Sequence, residues 1–82
     1  MWNLKEAKLH WRKQEYSKGS EHEAWQAKGV RGGRRVVFGV EFDKDDNGYI
    51  IYWDGEEGYT QFWPQAFPDV NLAKEFADNL ND

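Results

Sequence analysis

The segment from Arg34 to Phe42 constrains the fold more than any other part of the sequence. Its apolar side chains recur at every second position, namely Val36, Phe38, Val40 and Phe42. A period of two is that of a β-strand, because successive side chains of a strand point to opposite faces of the sheet. β-Branched and aromatic residues are also the types enriched in strands. We therefore expect a strand over 34–42 with one face in the core.

Two further strands are predicted after it, at 49–53 (YIIYW) and 59–63 (YTQFW). Between the first pair, Asn47-Gly48 predicts a two-residue hairpin turn, and a four-residue loop over 45–48 is the alternative that leaves the same side chains on one face. The second turn is centred on Glu56-Glu57. Because side chains alternate between the two faces of a sheet, these turns assign one set of side chains to the face in the core: Val36, Phe38, Val40, Phe42, Tyr49, Ile51, Trp53, Thr60 and Phe62. They assign a second set to the opposite face: Val37, Glu41, Ile50, Tyr52, Gln61 and Trp63.

The flanking segments are predicted from helix-capping and periodicity signals. Residues 3–18 combine a capping-box spacing with a helical apolar stripe through Leu4, Ala7 and Trp11, although a strand through Ala7, Leu9 and Trp11 has the same parity. Residues 20–30 carry both a capping-box spacing and an alternating pattern, and we favour a strand that enters a Gly32-Gly33 turn. The segment 69–80 predicts a helix with Asp69 as its cap. Its apolar stripe is Leu72, Ala73, Phe76, Ala77 and Leu80.

The expected architecture is therefore a single compact α+β domain spanning residues 1–82. It contains an N-terminal helix, an antiparallel sheet of three to four strands, and a C-terminal helix packed on one sheet face with Phe76 near the centre. We expect the N-terminal helix to cover the other face through Leu4 and Trp11, since five Trp in 82 residues leave few of them for solvent.

The charge distribution is uneven along the chain. Residues 1–35 carry nine Lys/Arg and four Glu, for +5, whereas residues 36–82 carry two Lys and eleven acids, for −9, which sums to −4. The chain has no Cys, so it forms neither a disulfide framework nor a thiolate centre. It has neither a secretion-signal pattern nor an apolar run of about 20 residues, which a membrane span needs. A cytoplasmic location is expected.

Residues 43–54 (DKDDNGYIIYWD) resemble an EF-hand calcium loop at Asp43, Asp45, Asn47 and Gly48, with Asp54 in the closing position. The resemblance implies calcium ligands at Asp43, Asp45, Asn47 and Asp54. An EF-hand needs a helix on each side of the loop, whereas both flanks here predict strands. An acidic hairpin turn is therefore the first interpretation, and calcium binding is a secondary alternative.

Catalytic motifs do not stand out in the sequence. His10 and His22 are the only histidines, at a spacing that matches no zinc site. The Ser and Thr residues have no nucleophile-elbow sequence around them. We therefore expect a protein that is not an enzyme and needs no cofactor.

The first functional hypothesis is a non-enzymatic protein-binding module that docks an acidic sheet edge and its aromatics onto a basic, nucleic-acid-binding partner surface. The residues assigned to it are Glu41, Asp43, Asp45, Asp46, Tyr52, Asp54, Glu56, Glu57 and Trp63. Small acidic aromatic domains of this kind are similar to inhibitors made by phages and mobile elements, anti-CRISPR proteins among them. That resemblance is one of size and style and implies imitation of nucleic-acid phosphates.

The alternative hypothesis is nucleic-acid binding through the basic segment 28–35 (KGVRGGRR). Its candidate residues are Lys28, Arg31, Arg34, Arg35 and Trp25, which combine phosphate forks with a stacking ring. The order helix, strands, helix resembles that of a double-stranded RNA-binding domain in topology alone. Either module would be a monomer or a dimer paired through an edge strand, 59–63 or 22–29.

Overall fold

The computed structural model describes residues 9–55 and 58–81. Within them five antiparallel strands form one sheet in sequence order, and one α-helix follows. The elements are β1 (Arg12–Lys13), β2 (Trp25–Arg31), β3 (Arg34–Asp43), β4 (Gly48–Asp54), β5 (Thr60–Phe62) and α1 (Val70–Leu80). A short 3₁₀ turn at Glu15–Ser17 lies between β1 and β2. The predicted α+β class is confirmed, with five strands rather than three to four.

The predicted N-terminal helix is wrong over the part of it that the structure describes. Residues 9–18 form β1 and the 3₁₀ turn, and no α-helix lies within them; the remainder, including Leu4, lies outside the described residues. Leu9 and Trp11 both pack against the core beneath α1, as alternate residues of an extended chain do. The extended form is favoured because β1 pairs with the edge of β2 and satisfies backbone groups there. Trp11 therefore does not cover the second face of the sheet.

The face of the sheet under α1 contains the core, as predicted. Phe38, Val40 and Ile51 are completely buried there. Burying a side chain of this size stabilises the fold by about 1.5–3 kcal/mol. Ala73 and Ala77 of α1 are completely buried too, and their small side chains let the helix lie close to the sheet.

The ends of α1 are fixed by side-chain hydrogen bonds. The Asp69 carboxylate accepts from the backbone N–H of Asn71 at 2.7 Å, which is the predicted N-cap. At the other end the side-chain oxygen of Asn81 accepts from the N–H of Val30 at 2.8 Å. The helix C-terminus is thereby tied to the last residues of β2.

Phe76 does not sit at the centre of the helix–sheet interface. It is half-buried and packs at the side, with its ring centroid 4.9 Å from that of Trp63 and 5.2 Å from that of Phe67. The centre is taken by the alanines because a large ring there would hold the helix away from the sheet.

The ambiguous segment 20–30 is a strand from Trp25 onward, and it joins β3 through the predicted Gly32-Gly33 turn. Both glycines have positive φ, 61° and 78°, which a two-residue hairpin turn of this hand requires. The β3–β4 turn differs from the prediction: it contains Lys44 to Asn47, and of the Asn47-Gly48 pair only Asn47 has positive φ. The parity of β3 and β4 is unchanged, so their predicted core face is confirmed.

The predicted face of β5 is wrong. Tyr52 pairs with Phe62 and Trp53 pairs with Gln61, so Thr60 and Phe62 lie on the face opposite α1. The turn between Asp54 and Thr60 contains an odd number of residues, with Gly58 at φ 82°. A shift of one residue exchanges the two faces of a strand. Trp63, just after β5, accordingly lies on the α1 side against Phe76.

Candidate functional site

The sheet face opposite α1, here called the open face, is the candidate functional site. Among residues 9–55 and 58–81 no helix and no second sheet lies over it. Several large side chains there stay in solvent: Val37 is 37% exposed, Phe62 58%, and Tyr16, from the 3₁₀ turn beside the face, 72%. The register assigns these residues to the open face: Arg12, Gln26, Lys28, Arg35, Val37, Gly39, Glu41, Ile50, Tyr52, Thr60 and Phe62.

One row of residues crosses all five strands in the middle of the open face. Successive pairings link Arg12 to Gln26, Gln26 to Gly39, Gly39 to Tyr52, and Tyr52 to Phe62. Four strand spacings separate the ends of this row, or about 19 Å. A guanidinium, an amide and two aromatic rings are therefore aligned perpendicular to the strands.

The ring of Tyr52 lies flat across Gly39. A Cβ atom built on Gly39 would lie 2.1 Å from Cζ of Tyr52 and 2.5 Å from its hydroxyl oxygen. Only a residue without a side chain leaves room for a ring in that position. The neighbouring Phe62 ring is 6.1 Å away between centroids and is tilted by 49°.

Polar side chains lie around the hydroxyl of Tyr52. The carboxylate of Glu41 and the side chain of Gln26 are close enough to affect its ionisation. Burial, followed by the nearby Glu41 carboxylate, raises the pKa of Tyr52 to about 12. Tyr16 is also near Glu41, and partial burial together with that carboxylate raises its pKa. Glu41 thus lies near both tyrosine hydroxyls.

Three cations occupy the part of the open face formed by β1, β2 and β3. Arg12, Lys28 and Arg35 are all exposed, and none of them has an ion-pair partner among the described residues. Arg12 and Lys28 line a groove of about 590 Å³ together with Tyr16, Gln26 and Val37. A second groove, of about 290 Å³, lies at the β4–β5 end of the row and is lined by Glu41, Ile50, Tyr52, Thr60 and Phe62.

The acidic side chains near the open face are mostly engaged. Glu41 lies near the hydroxyls of Tyr16 and Tyr52 and raises the pKa of each. Asp54 accepts from the backbone N–H of Val37 at 2.6 Å. Glu15 pairs with Lys18 at 3.1 Å. Unpaired positive charge therefore adjoins an aromatic row on this surface, although the whole chain is acidic.

The predicted acidic edge does not form one cluster. Asp43, Asp45 and Asp46 lie at the β3–β4 turn, where the Asp43 carboxylate accepts from the N–H of Asp45 at 2.9 Å. Asp54 lies at the far end of β4, six residues after Gly48, or about 20 Å away. Glu41 and Tyr52 lie between them on the open face, Trp63 lies on the α1 side, and Glu56 and Glu57 lie outside the described residues.

The candidate calcium ligands are separated by the same geometry. Asp43 and Asn47 flank the β3–β4 turn, whereas Asp54 is at the other end of β4. Within residues 9–55 and 58–81 no group of three or more acidic or histidine side chains is placed to hold a metal ion.

The predicted basic segment is divided between the two faces. Lys28 and Arg35 project from the open face, whereas Arg31 and Arg34 belong to the α1 side. Trp25 is also on the α1 side, with Nζ of Lys74 3.4 Å and Nζ of Lys13 5.2 Å from its ring centroid. Burial, and then the nearby charge of Lys13, lowers the pKa of Lys74. Trp25 is therefore occupied by lysines and is no stacking partner for the open face.

Sequence reasoning missed Arg12, Tyr16, Gln26 and Phe62 as members of one surface. In the sequence analysis Arg12 falls within the predicted helix, and the signal for its extended form was the alternative strand through Leu9 and Trp11. Phe62 was assigned to the core, and no residue type signals the additional residue in the turn before β5. In the described part of the chain, the one helix is too short to cross a membrane. Comparisons with protein-family models, with curated proteins and with solved structures found no match to this chain.

Proposed function

We propose that this protein is a non-enzymatic module that binds single-stranded nucleic acid across its open face. The observation that supports the proposal is the position of three cations, which form no ion pair within the described residues, beside an aligned row that contains two aromatic rings. Single strands are bound elsewhere by the same combination, in which cations follow the phosphates and aromatic side chains stack on bases. The row is about 19 Å long. This length matches a few nucleotides, because an extended single-stranded nucleic acid spans several ångströms per nucleotide.

The roles of individual residues follow from their places. Tyr52, whose ring lies over Gly39, offers one ring, and Phe62 beside it offers a more exposed one. Arg12, Lys28 and Arg35 lie on the β1–β3 side of these rings, where they would contact phosphates. Glu41 lines the groove beside Tyr52.

Fluorescence anisotropy with labelled single strands of about ten nucleotides tests the proposal directly. Three phosphate contacts predict that log K falls with log salt at a slope of about −2. Affinity should therefore fall about 20-fold between 50 and 200 mM salt. Single strands should bind more tightly than a duplex of the same sequence, because paired bases cannot stack on the row.

Variants separate the two contributions. Arg12→Gln, Lys28→Gln and Arg35→Gln should each reduce the salt slope by about 0.7. Phe62→Ala should weaken binding by about 1–3 kcal/mol and leave the slope unchanged. Lys44→Gln removes an exposed cation at the β3–β4 turn and serves as the matched control. We expect no change in its affinity for the single strand or in its salt slope. Absence of binding to every single strand at low salt would refute the proposal.

The second candidate is the predicted protein-binding module with a basic partner. This candidate is favoured because Glu41, Asp43 and Tyr52 all lie on the open face. Part of the predicted acidic set is therefore on the same surface as an aromatic ring. Aromatic side chains set in a polar surround are also typical of protein interfaces. Loss of a specific captured protein in both Phe62→Ala and Asp45→Lys, with no oligonucleotide binding, would favour this candidate. The likeness to phage inhibitors has no support from the fold or the comparisons.

A further inference from the structure

Arg31 and Arg34 form an unusual pair at the end of the sheet. They are direct cross-strand partners on either side of the Gly32-Gly33 turn. Cross-strand partners project to the same face, and like charges directly opposite each other are destabilising. The described residues provide neither arginine with a carboxylate ion-pair partner.

Both guanidinium groups are held in place by neutral groups. Nη1 of Arg31 donates to the carbonyl oxygen of Leu80 at 3.3 Å, and its guanidinium carbon lies 5.2 Å from the ring centroid of Trp53. Arg34 donates to the carbonyl oxygens of Asp54 and Gly55 at 3.5 and 3.4 Å. These contacts use some of the five N–H donors of each guanidinium, and no carboxylate of the described residues forms an ion pair with either of them.

The two arginines line a groove of about 310 Å³. Its other described lining residues are Gly32, Trp53, Gly55 and Gln61, so the described part of the groove contains donors, an amide and a ring and no carboxylate. The groove lies on the α1 side of the sheet, beyond the C-terminus of the helix, and is separate from the open face.

We propose that this groove binds a phosphate group between Arg31 and Arg34. An anion bound between the two guanidinium groups would remove the repulsion that the register imposes on them. Fixed guanidinium forks suit phosphate because they donate two parallel hydrogen bonds, and both forks are already oriented by the carbonyls. The phosphate could belong to a free small molecule or to the end of a nucleic-acid chain, and the two sources share this chemistry.

Titration of the ¹⁵N-labelled full chain with inorganic phosphate, at ionic strength held constant with chloride, tests the site. We expect saturable shifts of the Gly32 and Gly33 amide signals with phosphate and not with chloride. Arg34→Lys and Arg31→Lys keep the charge but lose the fork, and each should weaken phosphate binding by about tenfold. Circular dichroism is used to check that each variant is folded. If one variant does not fold, the other still tests the site.

Lys44→Gln is the matched control, because Lys44 is an exposed cation at the β3–β4 turn and does not line the groove. It should leave the phosphate response unchanged. Equal responses to phosphate and chloride, or an equal loss in Lys44→Gln, would overturn the proposal. This inference does not depend on nucleic-acid binding at the open face, since inorganic phosphate alone is the probe.

A last comparison separates the two sources of phosphate. If chain ends occupy the groove, the wild type should bind an oligonucleotide with a 5′-phosphate more tightly than the same oligonucleotide with a 5′-hydroxyl. The Arg34→Lys variant should bind the two oligonucleotides with equal affinity. Equal binding of both forms, with the inorganic phosphate response intact, assigns the site to free phosphate compounds.

Discussion

Replacement of Gly39 by alanine tests the arrangement of the open face most directly. The added Cβ would lie 2.1 Å from Cζ of Tyr52, whereas carbon atoms in contact are about 3.5–4.0 Å apart. The Tyr52 ring must therefore move by about 1.4 Å or more. Such a movement displaces the hydroxyl from its position near Glu41 and Gln26.

The magnitude follows from this displacement. Forcing a group into an occupied position costs about 1–3 kcal/mol. Alanine in a strand recovers about 0.5–1 kcal/mol over glycine through backbone entropy. We expect Gly39→Ala to lower the free energy of unfolding by about 1 kcal/mol. For a chain of this size the melting temperature should fall by roughly 6 °C.

A double-mutant cycle identifies the cause. In a Tyr52→Ala background the ring is absent, so Gly39→Ala should be neutral or stabilise by about 0.5 kcal/mol. Urea unfolding followed by tryptophan fluorescence measures all four proteins, since the five Trp residues report on the core. An equal cost of Gly39→Ala in both backgrounds would show that the Tyr52 ring does not lie on Gly39, and the aligned row would lose its basis.

Three further predictions concern single interactions. The pKa of Tyr52 is raised to about 12 in the folded protein, so the unfolded chain loses this proton at lower pH than the folded one. The stability that this difference contributes is complete below about pH 10 and is lost as pH rises toward 12. Glu41→Gln should shift the absorbance titration of Tyr52 to lower pH. Asp69→Ala removes the N-cap of α1 and should lower the free energy of unfolding by about 1 kcal/mol in the same urea assay, with Asp45→Ala as an exposed control. Calcium at millimolar concentration should leave the melting temperature unchanged, because Asp43 and Asp54 are separated along β4; a rise that Asp54→Asn abolishes would contradict this.

The predictions that held from sequence rest on strong local signals. The alternation in β3, the glycine pair before it and the Asp69 cap each act within a few residues, so neighbours in sequence were enough to predict them. The predicted N-terminal helix failed because residues 7–11 fit both periods, and the free edge of β2, far away in sequence, decided in favour of the extended form. The predicted face of β5 failed because one additional residue in a turn is invisible to residue types but reverses every side chain after it.

The candidate site was less predictable than the fold for the same reason. Tyr52 and Glu41 were placed on one face correctly, since both lie in strands whose parity was read correctly. Arg12, Gln26 and Phe62 joined them only through pairings between strands that are distant in sequence. From the sequence, the basic segment 28–35 was interpreted as one patch. Side chains alternate between the two faces along the paired strands β2 and β3, so half of its cations lie on each face.

Residue order alone determined that the middle of this chain is pleated, that its end is an amphipathic helix, and which side of β3 and β4 is buried, because those properties depend on period and on capping within a single segment. Only the tertiary structure decided which side chains share the uncovered surface. That outcome depends on the number of residues in each turn and on which edge is free for pairing, and these quantities couple segments that do not adjoin in the sequence.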